Sequence, residues 1–147
     1  MLICHRIYRI LSLVLRDMYS IRPVSIGEQC EFAAKYTRVL EEWRNDIPKF
    51  LNADSDGSTP LIPIFQRQRD VLNLAYWHAL VLVHRPLFLR NFTNIQHSDQ
   101  EASSDRAQIK ENIGHGLNAA MHIVDKVNAM FCSGLMFRSF WVSYPMY

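Results

Sequence analysis

Histidine is the residue type in this chain best suited to acid–base or metal chemistry, so its spacing is considered first. His78 and His84 are six residues apart, which places them about 240° apart around a helix, too far to share a metal ion. His115 and His122 share a helix face, but two turns separate them by about 10 Å. We therefore expect surface or hydrogen-bonded core histidines, and we predict no metal ligands on this chain.

The cysteines and the known catalytic motifs give no sign of an enzyme. Cys4, Cys30 and Cys132 are odd in number and far apart, which favours neither a disulfide framework nor a zinc site. Cys4 has His5 beside it, but adjacent side chains of a helix point apart. The chain lacks the glycine-rich and HExxH-type patterns of nucleotide-binding, hydrolase and protease sites. We predict no catalytic residues and no cofactor.

Length and composition are those of one globular domain. The chain has 147 residues, of which 49% are hydrophobic and 20% charged, with a formal net charge of +2. This length suffices for a single core, and we treat residues 1–147 as a single domain. Lysine and arginine are scattered singly, so we expect no direct nucleic-acid contact. Arginines interrupt the apolar N-terminal residues, so a signal peptide is not indicated.

The rest of the chain is organised around residues 70–86, which read DVLNLAYWHALVLVHRP. The length of the apolar run and the lack of internal Gly or Pro favour a helix over a strand. It is apolar on nearly all sides, so other helices should surround it. Its apolar part is shorter than the about 20 residues needed to cross a bilayer. Pro86 disfavours the helical conformation for Arg85, so this helix is predicted to cover about residues 65–84.

Two helices are predicted before the central one. In residues 2–19, apolar side chains recur every three or four positions. Arginines lie partly outside this stripe, as in a membrane-surface helix, but the later apolar helices favour a bundle. Ser25 and Glu28 form a capping-box pattern, and Pro48 limits this second helix, so we predict it over residues 25–46.

Two more helices are predicted after it, over about residues 105–131 and 135–144, beyond a long connection at residues 87–104. The first carries the most regular apolar stripe in the chain, which we expect to face the core: Ile109, Ile113, Leu117, Ala120, Val124, Val127 and Phe131. Gly114 and Gly116 either weaken this helix or let another helix approach closely, and Gly134 can end it. The predicted fold is an all-α multi-helix bundle.

Aromatic and methionine residues leave one alternative open. Tyr76, Trp77, Met121 and Met130 could line a ligand cavity. Such residues at helical spacing more often form plain core, which is the interpretation that we favour.

Several segments, in order, resemble the fungal-specific transcription factor domain, the middle homology region of fungal zinc-cluster (Zn₂Cys₆) regulators. The segment LEEWRNDIP at residues 40–48 is similar to that family's L-x-x-W-x-x-x-L/I-P. The family's next helix is similar to two segments of this chain, LNLAYWH at residues 72–78 and LVHRP at residues 82–86. The helices that follow it in the family are similar to AAMHIV at residues 119–124 and to the pair Phe140–Trp141. The residues that carry the resemblance, mainly structural ones, are Trp43, Pro48, Gln66, Tyr76, His84, Arg85, Pro86 and Trp141.

The resemblance also separates this chain from the parent family's DNA-binding head. That module lies N-terminal to the domain and needs six cysteines holding two zinc ions, whereas this chain has three cysteines. DNA and zinc binding would therefore belong to the parent protein. The family domain also continues past the Phe-Trp helix, so the resemblance implies a partial domain, truncated at its C-terminus. A nuclear location is implied by the family alone.

Two functions follow from the resemblance. The first is a regulatory domain that modulates RNA polymerase II transcription in response to a small-molecule effector or a protein partner, with an effector site between the central helix and its neighbours. The alternative is a non-DNA-binding interaction fragment or inactive gene product that self-associates through uncovered apolar helices. Arg85 could pair with an effector anion, although capping carbonyls at the helix end is the role that its position favours.

Overall fold

The computed structural model describes residues 2–21, 24–47, 63–94, 103–132 and 134. Over these residues the fold is all-α, with four helices that pack side by side: α1 (Leu2–Met18), α2 (Ile26–Asn45), α3 (Pro63–Asn94) and α4 (Ser103–Cys132). Helices α2 and α3 each contact all three others. The predicted helix at residues 135–144, together with Pro48 and Trp141, lies outside the described residues. No described helix is long and apolar enough to cross a membrane.

Helix α1 buries the stripe that its sequence predicts. Ile7, Ile10, Val14 and Met18 are buried, at the three- and four-residue spacing of one helix face. Exposed arginines occupy other faces of α1. The bundle interpretation of α1 therefore agrees with the structure over these residues.

Helix α2 begins and ends where its sequence predicts. The Glu28 amide donates to Ser25 Oγ at 3.2 Å, and the Ser25 amide donates to Glu28 Oε2 at 2.9 Å, so the capping box is present. Asp46 caps the C-terminus. The face of α2 that enters the core carries Cys30, Ala33, Tyr36, Leu40 and Trp43.

The predicted end of α3 is wrong. The helix does not stop near His84; it continues through Pro86 to Asn94, so much of the predicted connection at residues 87–104 is helical. A proline inside a helix leaves the carbonyl four residues earlier without its usual N–H donor. Here that carbonyl belongs to Leu82, and the Tyr19 hydroxyl donates to it at 2.9 Å.

Two further contacts stabilise the extension of α3 beyond Pro86. Leu87 is 1% exposed in the core. Arg90 Nη1 donates to the carbonyl of Val24, just before α2, at 2.9 Å. Burial and tertiary hydrogen bonds therefore offset the penalty of the proline, which in a helix interior is about 3 kcal/mol.

Helix α4 has nearly the predicted bounds, but its predicted core face is wrong in part. Ile109 is 7% exposed, whereas Leu117, Val124 and Phe131 are 53%, 59% and 71% exposed. The face that packs on the bundle is rotated from the regular stripe and buries Ala119 and Met130. Gly134 follows the helix with a φ of 67°, the left-handed conformation typical of a residue after a helix end.

Candidate functional site

Helices α3 and α4 make the most extensive helix pair of the bundle, and two recesses lie along it. The first, which we call the α3–α4 cavity, is apolar and has a volume of about 250 Å³. It is lined from α3 by Val81, His84, Arg85, Phe88 and Leu89, and from α4 by Ile113, Gly116, Leu117 and Ala120. Three of the four α4 residues, all except Gly116, belong to the regular stripe that the sequence placed in the core.

Gly116 brings α4 close to α3 beside this cavity. A Cβ atom built on Gly116 would lie 3.0 Å from the Cβ of His84, which is closer than real Cβ atoms normally approach. The same construction on Gly114 meets nothing within 4 Å. Of the two predictions for these glycines, close helix approach is therefore confirmed for Gly116 and not for Gly114.

His84 is a buried polar link between three helices. Its side chain is 2% exposed, its Nε2 lies 3.4 Å from Thr37 Oγ1 on α2, and its ring stacks on His115 of α4 at 5.8 Å between centroids. Among the described residues its Nδ1 makes no hydrogen bond. The pKa of His84 is lowered to about 4, chiefly by burial and also by the neighbouring His115, with Asn112 partly opposing the shift. The imidazole is therefore neutral at pH 7 and adds no charge to the cavity wall.

Arg85 supplies the positive charge at the edge of the cavity. Because α3 continues past it, Arg85 does not cap the end of a helix, and that part of its prediction is wrong. The residue is exposed and lines the cavity. Burial raises the pKa of Tyr19, and the Arg85 guanidinium beside that phenol opposes the rise. Among the described residues no carboxylate forms an ion pair with Arg85.

The second recess, which we call the polar recess because mostly polar and charged residues line it, has a volume of about 320 Å³. It lies where α2, α3 and α4 meet, and it is lined by Arg44, Asn73, Trp77, His122, Asp125, Lys126 and Ala129. Trp77 stacks on His122 at 4.1 Å, and the Arg44 guanidinium carbon lies 4.7 and 5.2 Å from the ring centroids of Tyr76 and Trp77. Arg44 therefore makes cation–π contacts that tie α2 to α3.

An ion pair between Asp70 and Lys126 lies at this recess. Lys126 Nζ lies 2.5 Å from Asp70 Oδ1, with the Asp70 side chain 4% exposed and that of Lys126 28% exposed. Asp70 lies on α3 and Lys126 on α4, so the pair fixes the register of the two helices. Removing either partner of this ion pair would leave the other charge buried without a counter-charge, which destabilises a folded protein.

The residues that carry the family resemblance are mostly structural here. Trp43 is 1% exposed and stacks on Tyr76 at 6.5 Å, Gln66 is half-buried near the start of α3, and Pro86 lies inside α3. Only His84 and Arg85 of the set line the α3–α4 cavity. The structure therefore brings these two together at a recess and uses the others to hold the helices.

The other predicted residues fall into three environments. Trp77 lines the polar recess, Tyr76 and Met130 are buried in the core, and Met121 is 58% exposed. The sequence did not single out Arg44, Asn73 or Lys126. Their spacing offers a weak signal, since residues 73 and 77 on α3, and 122 and 126 on α4, are each one turn apart. Within the described parts of the chain, no group of His, Cys, Asp and Glu is placed to hold a metal ion.

Comparison with known proteins adds no relative. No family model, curated protein or solved structure matches this chain.

Proposed function

We propose that this chain is a regulatory domain of the fungal zinc-cluster transcription factor type, modulating RNA polymerase II transcription from the nucleus in response to an effector. Its role is binding rather than catalysis, and DNA and zinc binding belong to the parent protein. The support is the ordered set of residue patterns from Trp43 to the Ala119–Ala120 pair, together with the helical fold. The observation that carries the proposal is the apolar α3–α4 cavity, which is lined by His84 and Arg85 of the resemblance set.

The cavity suits regulation because it lies between two helices rather than at the surface of one. A ligand that fills it contacts α3 and α4 at the same time, so it favours one setting of that helix pair over others. The pair also carries the Asp70–Lys126 contact. A change at the cavity is thereby coupled to the other end of the same interface.

A reporter assay tests this role. The full chain is inserted between an unrelated DNA-binding module and an activation segment, and transcription is measured in fungal cells across growth media. We expect output to differ at least twofold from that of a fusion without the chain, and to vary with the medium. The matched control carries Trp43→Ala, which should destabilise the domain by about 3 to 5 kcal/mol and so weaken the regulation. Equal output from all three fusions in every medium would contradict the proposal.

A second candidate is an interaction fragment that does not bind DNA. The exposed positions Leu117, Val124 and Phe131 of α4 favour it, since they are spaced by seven residues along one face, as in a helix-pairing seam. Sedimentation velocity over a hundredfold concentration range tests it. Concentration-dependent dimers that Val124→Lys abolishes would support this function, and a monomer throughout would exclude it.

A further inference from the structure

The α3–α4 cavity has the size and lining of a binding site for a short hydrocarbon group. Its volume is about 250 Å³, whereas an apolar cavity of 150 Å³ in another protein holds benzene. By proportion this one accommodates about ten carbon atoms. The wall is formed by aliphatic and aromatic side chains and by a histidine that is neutral at pH 7. Nothing in that wall except Arg85 carries a charge.

Arg85 indicates the other end of the ligand. Its position at the cavity places a permanent cation next to an apolar recess, and no carboxylate in the described parts of the chain pairs with it. The Tyr19 hydroxyl lies beside the guanidinium, but it donates its proton to the Leu82 carbonyl and is not an anionic partner for Arg85. Guanidinium groups bind carboxylates through two parallel hydrogen bonds.

We propose that the α3–α4 cavity binds a monocarboxylate of about eight to ten carbon atoms in all, with its apolar tail between α3 and α4 and its carboxylate on Arg85. Only the role of this ligand as the effector rests on the proposed function, because the binding itself can be measured without transcription. Each half of the ligand has a separate partner in the site. The two halves can therefore be tested separately.

Isothermal titration calorimetry on the full chain provides the test, with octanoate as the probe. Burial of its methylene groups and pairing of its carboxylate with Arg85, less the entropy lost on association, predict a Kd on the order of 0.1 mM. Octan-1-ol has the same total number of carbon atoms without the charge, and butyrate has the charge with a short tail. We expect octanoate to bind most tightly, octan-1-ol at least tenfold more weakly, and butyrate with no measurable heat.

Two variants locate the ligand. Arg85→Gln should weaken octanoate at least tenfold and leave octan-1-ol within twofold, because only the carboxylate loses its partner. Ala120→Phe fills the cavity and should remove binding of both. Arg38→Gln, which alters an exposed arginine on α2 that does not line the cavity, is the matched control and should bind like the unaltered chain. Circular dichroism at 222 nm checks that each variant is folded.

The outcomes separate this proposal from the proposed function. No saturable octanoate binding, equal binding by Arg85→Gln, or unchanged binding by a folded Ala120→Phe would each overturn the ligand assignment. If octanoate binds and both variants weaken it as expected, but the reporter never responds, the regulatory function is overturned and the ligand site stands. A responsive reporter without octanoate binding would overturn the site alone.

Discussion

Helices α2 and α4 both carry apolar residues at helical spacing, but α2 buries its apolar face whereas α4 leaves much of its more regular stripe exposed. On α2, the apolar positions Ala33, Leu40 and Trp43 are at most 1% exposed. On α4, Leu117, Val124 and Phe131 are more than half exposed. The difference teaches that a periodic stripe predicts a helix and an apolar face, but that the neighbouring helices decide which face is buried.

The packing partners explain why the two helices differ. Helix α2 packs against α1, α3 and α4, whereas the largest contact of α4 is with α3. That contact is fixed at Gly116, where the α4 backbone meets His84, and at Lys126, which pairs with Asp70. These two positions set the rotation of α4, and the regular stripe turns partly away from the core.

The largest expected effect is the difference in the free energy of unfolding between two variants, one at Trp43 of α2 and one at Phe131 of α4. Trp43→Ala should lower the free energy of unfolding by about 3 to 5 kcal/mol, because a fully buried indole is replaced by a cavity. Phe131→Ala should change it by less than about 0.5 kcal/mol, because the ring is 71% exposed. Urea unfolding of both variants measures the contrast. A loss above about 2 kcal/mol for Phe131→Ala would mean that the α4 stripe is covered after all.

Acid should weaken the interface at His84. Its pKa is about 4 in the folded chain and about 6.5 when unfolded. Between these values the unfolded state holds more protons, so the contribution of His84 is complete above about pH 6.5 and is lost as the pH falls toward 4. The expected loss is on the order of 3 kcal/mol. His84→Gln should flatten the pH dependence of urea unfolding, and the exposed His78→Gln should not. Identical pH profiles for the two variants would refute this account.

The hydrogen bond from Tyr19 to Leu82 is expected to matter because of Pro86. Tyr19→Phe should cost about 1 kcal/mol in the unaltered chain, since the Leu82 carbonyl loses its donor. With Pro86→Ala the amide of residue 86 can donate to the same carbonyl, and Tyr19→Phe should then cost close to nothing. A double-mutant cycle by urea unfolding measures the coupling. Additive effects would show that Tyr19 does not compensate for the proline.

The smallest effect concerns the two glycines of α4. Gly114→Ala should stabilise the chain by up to about 1 kcal/mol, because alanine is the better helix former and nothing lies in its way. At Gly116 the added methyl group would lie 3.0 Å from the Cβ of His84, and that atom cannot move unless the α3 backbone moves with it. Gly116→Ala should therefore be at least about 1 kcal/mol less favourable than Gly114→Ala in thermal unfolding. Equal gains would mean that α4 does not approach α3 closely there.

Local signals sufficed where the chain determines its own geometry. The capping box at Ser25 and the stripe of α1 depend on neighbours three or four residues away, and both were predictable. The continuation of α3 was not, because it depends on Tyr19 and Leu87 contacts that are tertiary. A general site beside α3 could be anticipated, but Arg44, Asn73 and Lys126 come together only through the rotation of α4.

The central claim, that the effector site lies between α3 and α4, is tested most directly by two-dimensional NMR of the ¹⁵N-labelled full chain titrated with octanoate. We predict shifts concentrated at residues 81–89 of α3 and 113–120 of α4, with little change at the buried face of α2. An unchanged spectrum, or shifts confined to the exposed positions Val124 and Phe131, would contradict it.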